Sequence, residues 1–288
     1  MENPDYPPEP WIGPGISYRR HYHQALLGLT AEARLTEHGP LVLEIIPEHF
    51  FANPEPLEAL AEHYRLVFHD VGLSIATVDP DEARPRRLQQ LKALLALARP
   101  VLFSDHLALT RSPDGLDCGH LAPAWYTADA LDCLAEHVRR CQDVLEMPLV
   151  LENIALPWLF PGSMREPEFL THLVERTGCG LLLDLSNLLW NQRNFPDQNP
   201  GLLQDYPLYA VQQIHLAGGV YQQGWWVDSH STPVAETSFA LLQQCGSCPA
   251  VKTIVIERDT HLPSLTALLR EAQHAAQRWH RIRHGDCA

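Results

Sequence analysis

The sequence predicts an α/β protein, a single (β/α)8 barrel of the TIM type. Eight short apolar runs recur along its 288 residues, each followed by a segment with helical spacing. The runs are continuous and not alternating, which suits strands buried on both faces of a parallel sheet. No linker or internal repeat divides the chain, and one large domain fits its length.

Taken in order, the first run, Ile12–Tyr18, leads into helical spacing over His21–Glu37. Leu41–Ile46 is followed by Pro54–Tyr64. Leu66–Ala76, with a break expected near Asp70, precedes Arg84–Ala98. Val101–Ser104 precedes Ala128–Leu145, where Thr127 is a candidate N-cap and Leu131, Leu134, Val138 and Leu145 recur at helical period. Leu149–Leu151 pairs with Glu166–Arg176, and Gly180–Leu183 with Leu202–Ala210. Val211–Leu216 precedes Val234–Cys245, and Thr253–Ile256 precedes the last helix, Leu262–His280. An open, doubly wound sheet is the competing arrangement, but no glycine-rich phosphate fingerprint follows the first strand.

Residues 1–11, MENPDYPPEPW, are acidic and proline-rich, the composition of a disordered lead-in without the basic and apolar regions of a signal peptide. The catalytic domain is then expected over residues 12–284. A net charge of −14 disfavours general nucleic-acid binding, which draws on Lys and Arg against phosphates. No run approaches the roughly 18 apolar residues of a membrane span. Seven cysteines scattered along a long chain do not form a disulfide framework, so the cytoplasm is the expected location.

The chemistry sits where the strands end. In a (β/α)8 barrel those ends surround one mouth, and the active site is built there. The second strand ends in LEIIPEHF, with Glu44 and Glu48, and the third carries His69. The fourth ends in LFSDHLAL, with Asp105 and His106; the fifth in LVLENIA, with Glu152 and Asn153. The sixth gives Asp184 and Asn187 in GLLLDLSNLLWN, and the seventh gives His215 in QIHLAGG. The loop WWVDSHS adds Asp228 and His230, and the eighth strand ends in IVIERD with Glu257. A single buried Asp or His at a strand end is more often a satisfied structural group than a ligand. Acidic or imidazole groups on seven of eight strands are another matter, because converging carboxylates repel unless a cation neutralises them. Mixed His, Asp and Glu donors suit Fe, Mn or Zn, and their number exceeds what one ion takes up.

Other features are weaker. Cys245 and Cys248, in CGSC, have redox-motif spacing without a thioredoxin-like context. Trp225 and Trp226 either line a substrate pocket or pack as a loop cover. Arg19, after the first strand, either binds a substrate carboxylate or pairs with one of the acids.

The motifs SDHLAL, LVLENIA, GLLLDLSNLLWN, QIHLAGG, the DSH loop and IVIERD, in this order and spacing, resemble the DUF692 proteins. These are also called multinuclear non-haem iron-dependent oxidative enzymes (MNIO) and include the methanobactin-biosynthesis oxidase. The resemblance runs from about Gly13 to about Glu271. It implies a xylose-isomerase-like TIM barrel holding two or three irons, mixed-valent Fe(II)/Fe(III), with O2 as co-substrate. It also implies modification of a ribosomally made precursor peptide, typically at cysteine, with a separate partner protein that binds the leader. Carried over by motif, His69, Asp105, Glu152, Asp184, His215, Asp228, His230 and Glu257 are the metal positions. Glu48, His49, His106, Asn153 and Asn187 are further candidates for the metal or its surroundings, with Asp228 and Arg19 as catalytic candidates. Relatives commonly read EVHxEN after the second strand, where this chain has EIIPEH, so Ile46 stands where histidine is expected. Either His49 compensates or an iron is lost, which favours a two-iron centre. The competing functions are a Mn- or Zn-dependent isomerase or phosphodiesterase on the same barrel, and a non-catalytic metal-binding adaptor.

Overall fold

Strands β1 (Gly13–Ser17), β2 (Val42–Ile45), β3 (Arg65–His69) and β4 (Phe103–His106) are followed by β5 (Leu149–Glu152), β6 (Gly180–Asp184), β7 (Val211–Ala217) and β8 (Thr253–Glu257). In this computed structural model, which describes residues 11–78, 83–160, 162–196 and 202–284, they close into one barrel. Each strand lies parallel to its neighbours in the chain, and β8 closes onto β1. Helices α1 (His23–Leu27), α2 (Glu55–Ala61), α3 (Ala83–Ala98), α4 (Ala128–Leu145), α5 (Glu166–Thr177), α6 (Leu185–Asn194), α7 (Glu236–Gln244) and α8 (Leu265–His284) alternate with the strands.

Strand alternation separates two cores. Outward-facing Ile16, Leu43, Ile45, Phe68, Phe103, Leu151, Leu183, Ile214 and Ile256 join the large apolar core beneath the helices. Inward-facing Val42, Val67, Leu102, Val150 and Leu182 form a small separate cluster with Ile12 inside the barrel. One or two inward positions further along each strand, that apolar plug gives way to polar groups. The plug floors the site and the polar layer forms it.

Two predicted helices differ. His21–Glu37 shortens to α1 after a 3-10 turn, with Gly28 as its C-cap. Beyond it, Leu35–Thr36 pairs with Gly39–Pro40 in a small hairpin. The helix expected over Leu202–Ala210 is instead two 3-10 turns, Leu203–Asp205 and Leu208–Ala210. Pro207 lies between them without an N–H to donate. The sixth helix starts directly after β6, because Asp184 is its N-cap: Oδ1 accepts from the Asn187 N–H at 2.7 Å. The strand expected over Leu66–Ala76 ends at His69, at the break foreseen near Asp70. Of the proposed lead-in, residues 1–10 lie outside the described residues. Trp11 packs on Trp279 at 6.5 Å and donates its indole N–H to the His38 carbonyl at 2.6 Å.

Candidate metal centre

Barrel register brings an inward residue near the C-terminal end of seven strands into one polar region: Glu44, His69, His106, Glu152, Asp184, His215 and Glu257. All but the partly buried His106 are buried. Lateral pairs link His106 to Glu152 and Asp184 to His215. Among the described residues two donor groups assemble, His69–His106–Glu152 and Glu152–Asp184–His215–Glu257, and Glu152 belongs to both. In the first, His69 Nε2 lies 3.3 Å from His106 Nε2 and 3.3 Å from Glu152 Oε2. In the second, His215 Nδ1 lies 3.4 Å from Glu152 Oε1 and 3.0 Å from Glu257 Oε2. Asp228 and His230 extend the array on the open side: His230 Nε2 is 2.8 Å from Asp228 Oδ2 and 3.7 Å from Glu257 Oε2.

Three of the imidazoles are held from behind. His69 Nδ1 contacts Ser104 Oγ at 2.9 Å, and that hydroxyl donates to the Phe68 carbonyl. His215 Nε2 contacts Glu44 Oε2 at 2.7 Å. His230 Nδ1 contacts Asp259 Oδ2 at 3.0 Å, and Asp259 is paired with Arg19. Asn153 clamps the Asp184 backbone, accepting from its N–H at 2.8 Å and donating to its carbonyl at 3.0 Å. Asn187 in turn donates to the Asn153 carbonyl.

The electrostatics are those of crowded like charges. Burial, with Asp228, Glu152 and Glu257 alongside, pushes the Asp184 carboxyl well above its usual value. Burial opposes a charge on His106, but Glu152, Asp105 and Glu257 outweigh it and raise its pKa to about 9. His215 and His230 are likewise raised against burial by the carboxylates around them, Glu257 foremost. His69 goes the other way, lowered by burial and by the neighbouring His106 and His215.

The residues fit metal ions on geometry as well as donor type. Glu152 Oε2, Asp184 Oδ2, Asn187 Oδ1, His215 Nδ1, Asp228 Oδ1 and His230 Nε2 are all buried without a hydrogen bond. Several approach one another closely yet out of hydrogen-bond alignment, as lone pairs do when they converge on a shared point. Buried polar atoms otherwise find partners. A His and carboxylate set suits iron, manganese or zinc.

The sequence-derived candidates divide. Asp105 faces away from the array: its two oxygens accept from the Leu73 N–H at 2.8 Å and the His106 N–H at 2.5 Å. His106, next in sequence, faces in. Glu48 lies outside the array, paired with Arg87, which also binds Asp70 with two bonds. His49 lines a separate groove of about 720 Å³ with Arg19, Arg20 and His23. Among the described residues, neither donor group includes Glu48 or His49. Trp226 stacks on Trp190 at 4.8 Å, under the Arg193 guanidinium, while Trp225 stays exposed beside Phe195. Cys245 and Cys248 are buried in a 3-10 turn after α7, packed in the helix-side core. Sequence reasoning named Glu44 only as a strand-end acid and did not single out Ser104, Gln213 or Asp259. Period-two parity from His69, Glu152 or His215 would have pointed to the first three, had the lateral register been known.

Residues 13–280 match the family of RiPP precursor modification enzymes MbnB/TglH/ChrH, which act in making ribosomally synthesised, post-translationally modified peptides. A UPF0276 protein of Vibrio vulnificus is 32% identical over 286 residues, covering 96% of this chain and 93% of the relative. Another, of Chromobacterium violaceum, is 36% identical over 268 residues, covering 91% and 92%. Among solved structures, a xylose isomerase-like TIM barrel protein from Mycobacterium smegmatis in complex with magnesium superposes with a TM-score of 0.58 at 12% identity, covering 96% of this chain and 99% of that one. Endonuclease IV from Thermus thermophilus gives 0.55 at 17% identity, covering 93% and 99%. At such identities these two likenesses establish the fold alone.

Proposed function

Because the chain belongs to the MbnB/TglH/ChrH family of RiPP precursor modification enzymes, we propose that it is an iron-dependent, O2-using oxidase that modifies a residue, cysteine foremost, of a ribosomally made peptide. The observation that carries this reading is the shared Glu152: one carboxylate serves two donor groups, an arrangement that suits adjacent ions and not a lone one. Iron bound there would supply the one-electron steps and O2 binding that no side chain of this chain provides.

The chain's own residues do the rest. Glu152 spaces the two groups, and Asp184 and Glu257 balance cationic charge inside the barrel. Asp228 and His230, on the loop at the open side, stand where a peptide side chain would meet the array, with Asp228 as the candidate catalytic carboxylate. Arg19 acts through Asp259 to hold His230, and also lines the groove it shares with His23 and His49. Trp225 stays exposed beside the Asp228–His230 loop as a candidate peptide contact, and Trp226 anchors that loop to α6. The Val42–Leu182 plug closes the far side against water. A leader-binding partner protein and a cytoplasmic location complete the reading.

The test is metal content per chain after anaerobic purification, with Mössbauer spectroscopy, followed by O2 uptake with a cysteine-bearing candidate peptide. Two or three coupled irons and peptide-dependent O2 consumption support the oxidase. One zinc or manganese without iron would hand the site to the isomerase or hydrolase reading. An intact iron cluster that leaves every candidate peptide unmodified would favour the adaptor.

A further inference from the structure

We propose that Glu44 is a positioning residue that commits His215 to bind metal through Nδ1. The inference rests on the His and carboxylate array holding metal and not on its oxidative chemistry. Neutral imidazole has one protonated nitrogen and one lone-pair nitrogen, and the partner of the first decides which atom is left as the donor. Glu44 Oε2, which can only accept, lies 2.7 Å from His215 Nε2, and the Gln213 amide nitrogen 2.9 Å from the same ring nitrogen gives its N–H to Glu44, so Nε2 carries the proton and donates it. The remaining nitrogen, Nδ1, faces Glu152 and Glu257 and has no hydrogen bond.

The contact is built across the barrel. Glu44 is on β2 and His215 on β7, separated by β1 and β8 in the closed order. Both are buried, and Glu44 belongs to neither donor group. Gln213, one inward step below His215, donates its amide to the same Glu44 oxygen and so fixes the carboxylate in turn. His69 shows the complementary arrangement: Ser104 occupies its Nδ1, and Nε2 faces the array. The two histidines thus present opposite nitrogens because two different partners hold them. A carboxylate behind a metal-bound histidine also makes it a stronger donor.

Zinc, which is diamagnetic, serves as the probe, with chelator competition for affinity and long-range 1H–15N spectra for the His215 tautomer. In wild type, His215 is expected to show a protonated Nε2. Glu44→Ala should lose that signal and bind zinc about 10- to 100-fold more weakly. Glu44→Gln, whose amide oxygen accepts the same proton, should retain the signal with a smaller loss of affinity. Wild-type affinity and tautomer in Glu44→Ala overturn the proposal, as does loss of a whole zinc equivalent with the Nε2 proton retained, which makes Glu44 a ligand. If Glu44→Ala fails to fold, Glu44→Gln decides: a lost Nε2 proton with unchanged affinity overturns the proposal. Wild-type protein that takes up no zinc defeats the metal centre itself. Failure of peptide oxidation leaves this result standing.

Discussion

Asp105 and His106 are adjacent, both chemically able to bind metal, and the barrel gives them different tasks. The Asp105 carboxylate accepts two backbone N–H groups and so ties the β3–α3 loop to β4. An asparagine there has only one carbonyl oxygen for two donors, leaving one buried N–H facing an NH2. Asp105→Asn should cost about 1–3 kcal/mol of stability in denaturant titration, yet keep wild-type metal content. His106→Ala should do the reverse, lowering occupancy of the His69–His106–Glu152 group with little loss of fold stability beyond its own contacts. Equal metal loss in both variants would return Asp105 to the ligand set.

At the scale of elements, β6 and α6 share one residue for two purposes. Asp184 Oδ1 caps α6 while Oδ2 is left for the site, so strand end, helix start and donor coincide. Asparagine caps helices about as well as aspartate. Asp184→Asn should therefore leave α6 intact, and metal-free stability should be no lower than wild type, since a buried carboxyl is removed. Metal affinity of the Glu152–Asp184–His215–Glu257 group should fall at least tenfold. Circular dichroism of the metal-free protein, paired with chelator competition, separates the two effects. The loop after β7 has a comparable constraint: a Cβ on Gly218 would lie 2.0 Å from the Thr232 carbonyl oxygen, so glycine is what lets the Asp228–His230 loop fold back over the barrel.

For the molecule as a whole, the polar layer couples stability to pH and to metal. In the metal-free protein His106 titrates at about 9, above the usual 6.5, so its contribution to stability is fully present below pH 6.5 and is lost as pH rises through about 9. His215, His230 and Asp184 are raised and act with the same sign. Bound metal displaces those protons, and its affinity rises as they are removed. The metal-induced stabilisation should therefore grow between pH 6.5 and 8.5, by up to about 3 kcal/mol from His106 alone, and the rise in Tm with it. Differential scanning calorimetry with chelator and with excess metal reads this directly. A gain that shrinks with pH would contradict the assignment of these groups as donors.

Eight apolar runs with a charged or imidazole group at nearly every end were legible in the sequence, because buried parallel strands need continuous apolar residues and the barrel mouth collects the side chains at their C-terminal ends. His69, Glu152, Asp184, His215 and Glu257 were readable on that basis. The helix after β6 was not: its capping aspartate looked like a strand end, while the apolar spacing of Leu202–Ala210 concealed Pro207. Nor could local pattern choose His106 over Asp105, since only lateral pairing with Glu152 fixes which of two neighbours faces inward. The contact of Glu44 with His215 spans 171 positions. Sequence determined the strands and the kinds of side chain at their ends, because those depend on local burial. Closure and register of the barrel decided which of those side chains meet, because period-two alternation assigns a face only relative to the strand beside it.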